Sequence, residues 1–173
     1  MKNYINLLAF IFCGACHLAY GQTNFLEKKV GHIYYISIPE SMTRTLELND
    51  VALLQYQNIE KEMYAIVIED AKSDLTLADL HFNNVDEFFE DFMKDYKANF
   101  ENSELKNKKI FKNSNYNLVQ ADFNYQLDDD VVSMLITVVE SKEYFYKVLC
   151  WTIPEYKEKY RTDFEKIALS LRD

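Results

Sequence analysis

Side chains that readily do chemistry are thinly spread along this chain. Three histidines and three cysteines are scattered through 173 residues. His32 and His81 lie in segments with no evident shared site and read as surface or edge histidines, not as a base with its partner. Beyond residue 21 there is no His-Glu-x-x-His and no Cys-x-x-Cys, so neither common zinc pattern is available. Gly31 is the one glycine after that point, which excludes Gly-rich phosphate loops and a Gly-x-Ser-x-Gly nucleophile elbow. Asp128-Asp129-Asp130 is the most tempting cation site. An EF-hand loop starting at Asp128 would need an oxygen ligand at its fifth position and glycine at its sixth, where Val132 and Ser133 stand. The triplet reads as a solvated hairpin turn. No catalytic, cofactor-binding or metal-ligating residue emerges.

Two further groups have both a bland and a functional reading. Cys150 could be a reactive thiol, but between Leu149 and Trp151 in mid-strand it reads as a small buried hydrophobe. Glu87, Asp91 and Asp95, four residues apart, form an acidic helix face that Lys94 relieves only in part. That face reads as a solubilising surface; its functional alternative is a docking surface for a basic partner. Tyr34, Tyr35, Tyr56, Tyr64, Tyr125, Tyr144 and Tyr146 fall on expected strands. Packing under helices accounts for most of them, with an aromatic-lined groove as the alternative.

The elements that must position these groups are clearest in residues 131–173. Residues 131–139 are apolar on both faces: Val132, Met134, Ile136 and Val138 on one, Val131, Leu135 and Val139 on the other. A strand of that kind is covered on both sides. Ser141-Lys142 turns the chain into a strand over 143–153, and Pro154 opens a helix. Tyr156, Tyr160, Phe164, Ile167, Ala168 and Leu171 then recur at helical spacing.

From the start, Lys2, the apolar run 5–12 and Ala19-Tyr20-Gly21 have the order of a secretory signal peptide ending before Gln22. The alternative is a lipoprotein anchored through Cys16, which follows Gly14-Ala15; Cys13 stands where a leucine is expected. Removing residues 1–21 takes away only Lys2 among charged residues, so the acidic balance of net −9 deepens by one. With no basic cluster, nucleic acid and anionic membrane surfaces are poor partners. Cys150 is then left alone, so no internal disulfide can form. No later apolar run is long enough to span a bilayer.

Residues 22–32 read as a flexible lead-in. Strands are expected over 33–38, 51–57 and 63–69, joined as an antiparallel meander, with a helical turn near 74–80. Asn84, followed by Glu87, caps a helix over 84–100 whose stripe is Val85, Phe88, Phe89, Phe92, Met93, Tyr96 and Phe100. Residues 101–109 read as helix end and loop, 110–111 as a short strand. Residues 116–127 read as a long strand whose polar face is the less buried one. The expectation is a single α+β domain over 33–173, an α/β/α sandwich with a mainly antiparallel sheet and a helix on each face.

In that layout the chain resembles the PsbP-like fold, a group that includes photosystem II accessory proteins, exported bacterial relatives and a Ran-binding nuclear-import factor. The residues that carry the resemblance are Tyr35-Ile36-Ser37-Ile38-Pro39, Tyr146-Lys147-Val148 and the ending Phe164, Ile167, Ser170-Leu171. The chain departs from the pattern at Met42, near where a tryptophan is common, and at Ser170-Leu171, where Ser-Phe is usual. No functional residue of the group can be placed here. The resemblance implies an exported, non-catalytic binding or assembly module with a protein partner. The alternative is a carboxylate-dependent hydrolase whose Asp/Glu pair comes from distant strands.

Overall fold

The computed structural model describes residues 23–31, 33–100 and 102–173. Residues 1–21, expected to be a signal peptide and including Cys16, lie outside the described residues, as do Gln22 and His32. Among the described residues nine strands form: β1 Phe25–Val30, β2 Tyr34–Pro39, β3 Thr43–Arg44, β4 Leu54–Asn58, β5 Met63–Ala71, β6 Glu104–Lys112, β7 Asn117–Leu127, β8 Asp130–Glu140 and β9 Tyr144–Thr152. The helices are α1 Lys72–Leu77, α2 Val85–Ala98 and α3 Lys157–Leu169. Seven strands make one antiparallel sheet in the order β3-β4-β5-β9-β8-β7-β6, and β1 with β2 makes a separate antiparallel hairpin.

Strand β8 lies inside the sheet, between β9 and β7, and its two apolar faces feed two different cores. Met134, Ile136 and Val138 pack with Val85, Phe88, Phe89 and Met93 of α2. Leu135 and Val139 pack with Tyr160, Phe164, Ile167 and Ala168 of α3 and with Tyr34, Ile36 and Ile38 of β2. The two helices therefore cover opposite faces, as an interior strand greasy on both sides requires. On the α3 face the β1–β2 hairpin shares the cover.

Local chemistry sets the helix boundaries. Asn84 Oδ1 accepts from the amides of Asp86 and Glu87 (3.0 Å each), and Glu87 reaches back to the Asn83 amide (2.9 Å). This satisfies the free donors of the first turn of α2. Pro154 begins a short 3-10 turn, Pro154–Tyr156, that runs into α3.

Four expectations are corrected. Residues 25–30, expected to be part of a flexible lead-in, are strand β1, in register with β2 from Phe25↔Pro39 to Val30↔Tyr34. The segment expected as a loop with a short strand at 110–111 is β6, paired along its length with β7. Both are edge strands, and an edge strand needs little apolar surface, so Glu27-Lys28-Lys29 and the lysines of β6 conceal it. The expected three-strand meander is divided: β2 pairs with β1 over the α3 face, and only β4 and β5 are neighbours in the main sheet. The polar face of β7 is the wetter one only at its far end, at Asn124 and Gln126, because Gln120 and Asp122 are buried beneath α3.

Candidate functional site

Asp122 is 3% exposed, where an isolated carboxylate would be costly. Two elements, β6 and α3, supply its partners. Asn107, at φ +53° in the β6 bulge, donates to Oδ2 (2.8 Å), Lys157 lies 3.2 Å from the same oxygen, and Arg161 bonds Oδ1. Arg161 also donates to Glu165 Oε1 (2.9 Å). Burial pushes the Asp122 carboxyl upward, but the bonds from Asn107, Arg161 and Lys157 outweigh it and hold the carboxyl below its usual range. Each charge here is matched, and the cluster ties α3 to β7. Sequence reading missed it; the available signal was Lys157 and Arg161 one turn apart on α3 facing a strand with buried acid.

A second cluster lies at the other end of the α3 face. Asp173 accepts from Tyr116 Oη (2.8 Å) and Tyr146 Oη (3.1 Å), and its amide donates to Tyr116 Oη (3.0 Å). Arg172 pairs with Tyr35 through both backbone bonds (2.7 and 3.0 Å), which stitches the chain end to β2. Tyr34 packs edge-on against Tyr146 at 5.2 Å between ring centroids. Its hydroxyl has no partner and no exposure among the described residues, and the same is true of Glu69 Oε2 on β5. Burial raises the Glu69 carboxyl to about 7; its own amide and Lys147 pull it down, and Asp70 pushes it up. A cavity of 430 Å³ opens beside this cluster, lined by Ile33, Lys142, Glu143, Tyr144 and Asp173.

A carboxylate-dependent hydrolase needs a second carboxyl facing Glu69 across a cleft. The carboxylate whose charge acts on Glu69 is Asp70, its neighbour in the strand. Asp70 is paired with Lys147 (2.7 Å), whose ammonium lies over the rings of Phe88 and Phe92 on the α2 face. The two carboxyls thus point to opposite sides of the sheet.

The groups singled out from the sequence are not brought together. His81 lies 3.4 Å from Asp79, with both side chains well exposed. Asp128, at φ +52°, begins the two-residue turn that joins β7 to β8. Cys150 is buried on the α3 face, and burial pushes its thiol well above the ordinary range. Among the described residues no group of three or more His, Cys, Asp or Glu side chains is placed to hold a metal, and no helix is long and apolar enough to cross a membrane.

A broad concavity of 1240 Å³ lies between the first half of α3, residues 23–25 and 40–41, and Lys61 and Met63. Its charges balance, with Lys61, Lys159 and Lys166 set among Glu40, Glu158 and Asp163. Asp163 accepts from Thr23 (2.9 Å), and Lys166 lies 3.9 Å over the Phe25 ring.

Apolar groups are displayed elsewhere, on the connection from β3 to β4. Gln55 is buried and acts as its hub. Its Oε1 accepts from the amides of Leu48 (2.9 Å) and Asn49 (3.0 Å), and its Nε2 donates to the carbonyls of Asn49 (2.6 Å) and Ala52 (3.1 Å). Asn49 Oδ1 accepts from the Val51 and Ala52 amides. The loop is thereby held in one shape, with Leu48 and Ala52 tucked into the α2-side core. Leu46, Val51 and Leu53 are left outside, 71%, 68% and 44% exposed.

Among solved structures, the chain is similar to cyanobacterial PsbP from Synechocystis sp. PCC 6803, with a TM-score of 0.64 and 18% identity, covering 92% of this chain and 98% of that one. It is also similar to LpqN of Mycobacterium tuberculosis, described as involved in cell envelope biogenesis, with a TM-score of 0.58 and 9% identity over 86% of this chain and 90% of that one. No family model matches the chain, and no curated protein matches it in sequence. At these identities the likeness establishes the fold: an α+β domain with the PsbP-like architecture.

Proposed function

We propose that this chain is an exported, non-catalytic accessory module that works by binding a protein partner through its surface. The observation that carries the reading is the loop 45–53. A buried glutamine and one asparagine hold it rigid through six hydrogen bonds, and it displays Leu46, Val51 and Leu53 to solvent. Large apolar side chains kept outside on a preorganised loop are suited to docking, because little ordering entropy is lost on contact. The polar clusters, by contrast, are occupied in holding elements together: Asp122 ties α3 to β7, and Asp173 ties the chain end to Tyr116 and Tyr146. Residues 1–21 are read as a signal peptide ahead of a single domain, with anchoring at Cys16 as the alternative; LpqN's stated part in cell envelope biogenesis is in keeping with export.

One observation favours a hydrolase, namely Glu69, whose carboxyl lies near neutrality as a general acid would require. Among the described residues the carboxylate whose charge acts on it, Asp70, points to the other side of the sheet, so binding is the better-supported reading. The test compares the wild type with a Leu46→Ser/Val51→Ser variant, each tagged and recovered from the native envelope fraction. The expected result is a stoichiometric partner with the wild type that is lost with the variant, whose melting temperature is unchanged. The same partner recovered equally by both proteins, or none recovered by either, overturns the assignment.

A further inference from the structure

Loop 45–53 has a counterpart. Residues 73–82 also hold large apolar side chains outside on a short hydrogen-bonded frame. The Ala78 amide donates to the Asp74 carbonyl (3.0 Å), the Leu80 amide to the Leu75 carbonyl (2.9 Å), and Asp79 reverses the chain at φ +60°. Leu75 and Phe82 turn into the α2-side core, while Leu77 and Leu80 stay outside, 87% and 44% exposed. The earlier loop divides in the same way, with Leu48 and Ala52 inward and Leu46, Val51 and Leu53 outward. Eleven large apolar side chains are exposed among the described residues, and these two connections supply five of them. Strand register brings the connections to one corner. Leu54 pairs with Val67, so the chain entering β4 runs beside the last residues of β5, and α1 continues directly from β5. Ile68, on that part of β5, packs on the same core as the inward residues of both.

The corner carries one sign of charge. Residues 45–53 contain Glu47 and Asp50 and no lysine or arginine; residues 73–82 contain Asp74 and Asp79 and again neither cation. All four acids are exposed. Lys72, at the start of α1, is turned away to Glu140 (2.9 Å) and to the Phe145 ring (4.6 Å).

We propose that the two connections form one docking surface and that it receives a basic amphipathic segment of the partner, with apolar side chains flanked by lysine or arginine. The assignment rests on the docking role of loop 45–53. Burial of the five apolar side chains supplies affinity, and the carboxylates select the sign of the incoming charge and speed its approach. An acidic segment would bring like charges together on the same contact. The acidic face of α2 is a poorer candidate. Glu87, Asp91 and Asp95 stand on a helix that exposes no large apolar side chain, so that face attracts cations without seating an apolar group.

The test is nitrogen-15 shift mapping of the protein with two synthetic peptides of equal length. One repeats leucine and lysine at helical spacing; the other has glutamate for every lysine. The leucine–lysine peptide should shift the amides of 45–53 and 73–82 together, and the leucine–glutamate peptide should shift neither. Asp50→Lys/Asp74→Lys should weaken the first peptide by about tenfold or more. Shifts confined to 45–53 overturn the joint surface and leave the loop as a docking site. Shifts centred on 86–95 of α2, an equal response to both peptides, or no response to the leucine–lysine peptide overturns the basic partner. Each of these is read on the wild type and does not depend on the variant folding. The capture comparison with Leu46→Ser/Val51→Ser decides the role of the loop separately.

Discussion

Phe89 and Phe92 are three residues apart on α2 and belong to one apolar stripe, yet the sheet treats them differently. Phe89 is fully buried, against β7 and β8, with the Lys108 ammonium 5.2 Å from its ring. Phe92 is half-buried, beside Tyr96 and under Lys147. Phe89→Ala should therefore cost about 3–5 kcal/mol, as should Phe164→Ala on the other helix. Phe92→Ala should cost only about 1–2 kcal/mol, because part of its ring is already wet. Urea unfolding of the three variants decides the order, and equal losses for Phe89 and Phe92 would contradict this packing. Spacing alone placed Phe92 in the core; the fold leaves it half-buried under Lys147.

Helix α3 is attached at two levels. Its apolar face supplies burial, and the Asp122 cluster sets its position on β7. Asp122→Asn should cost about 2–3 kcal/mol, short of a wholly buried pair because Lys157 and Arg161 keep about a quarter of their side-chain surface exposed. The carboxyl is held below its usual range, so its contribution is present above the unfolded value of about 4 and is lost as pH falls through the folded one. Melting temperatures between pH 2 and pH 7 should show a steeper acid loss in the wild type than in Asp122→Asn; identical profiles would show that the cluster does not act on stability. The edge strands illustrate the reverse case. In β6, Lys108 bonds Asp86 and Glu90 of α2, and Lys109 lies 3.7 Å from Glu165 of α3. One polar strand thus braces both helices, and Asp86 and Glu90 of α2 are paired from outside their own helix.

At the scale of the molecule, one sheet carries two cores that share strands β5, β7, β8 and β9. Trp151, the single tryptophan, faces the α2 side and stacks on Tyr64 at 5.4 Å, while Cys150 beside it faces the α3 side. Loss of either layer strips one face of β8 and β9, so both should unfold together. Tryptophan fluorescence and thiol reactivity followed through urea unfolding should give one midpoint. Two separated midpoints would show that the layers are independently stable.

What the sequence by itself determined is the set of elements whose pattern is local. The apolar run of β8, the aromatic β9, the capped stripe of α2 and the stripe of α3 follow from periodicity and end chemistry, and their opposite placement follows from β8 being greasy on both faces. The short resemblance at 35–39 and in the ending helix pointed to the right fold. Only the tertiary structure decided the rest, because it depends on which residues meet across long separations. Edge strands β1 and β6 carry no apolar alternation to betray them. Asp122 reads as surface until Lys157 and Arg161, more than thirty residues later, close over it. Glu69 is an ordinary strand acid until the fold seals its Oε2 and burial raises its carboxyl.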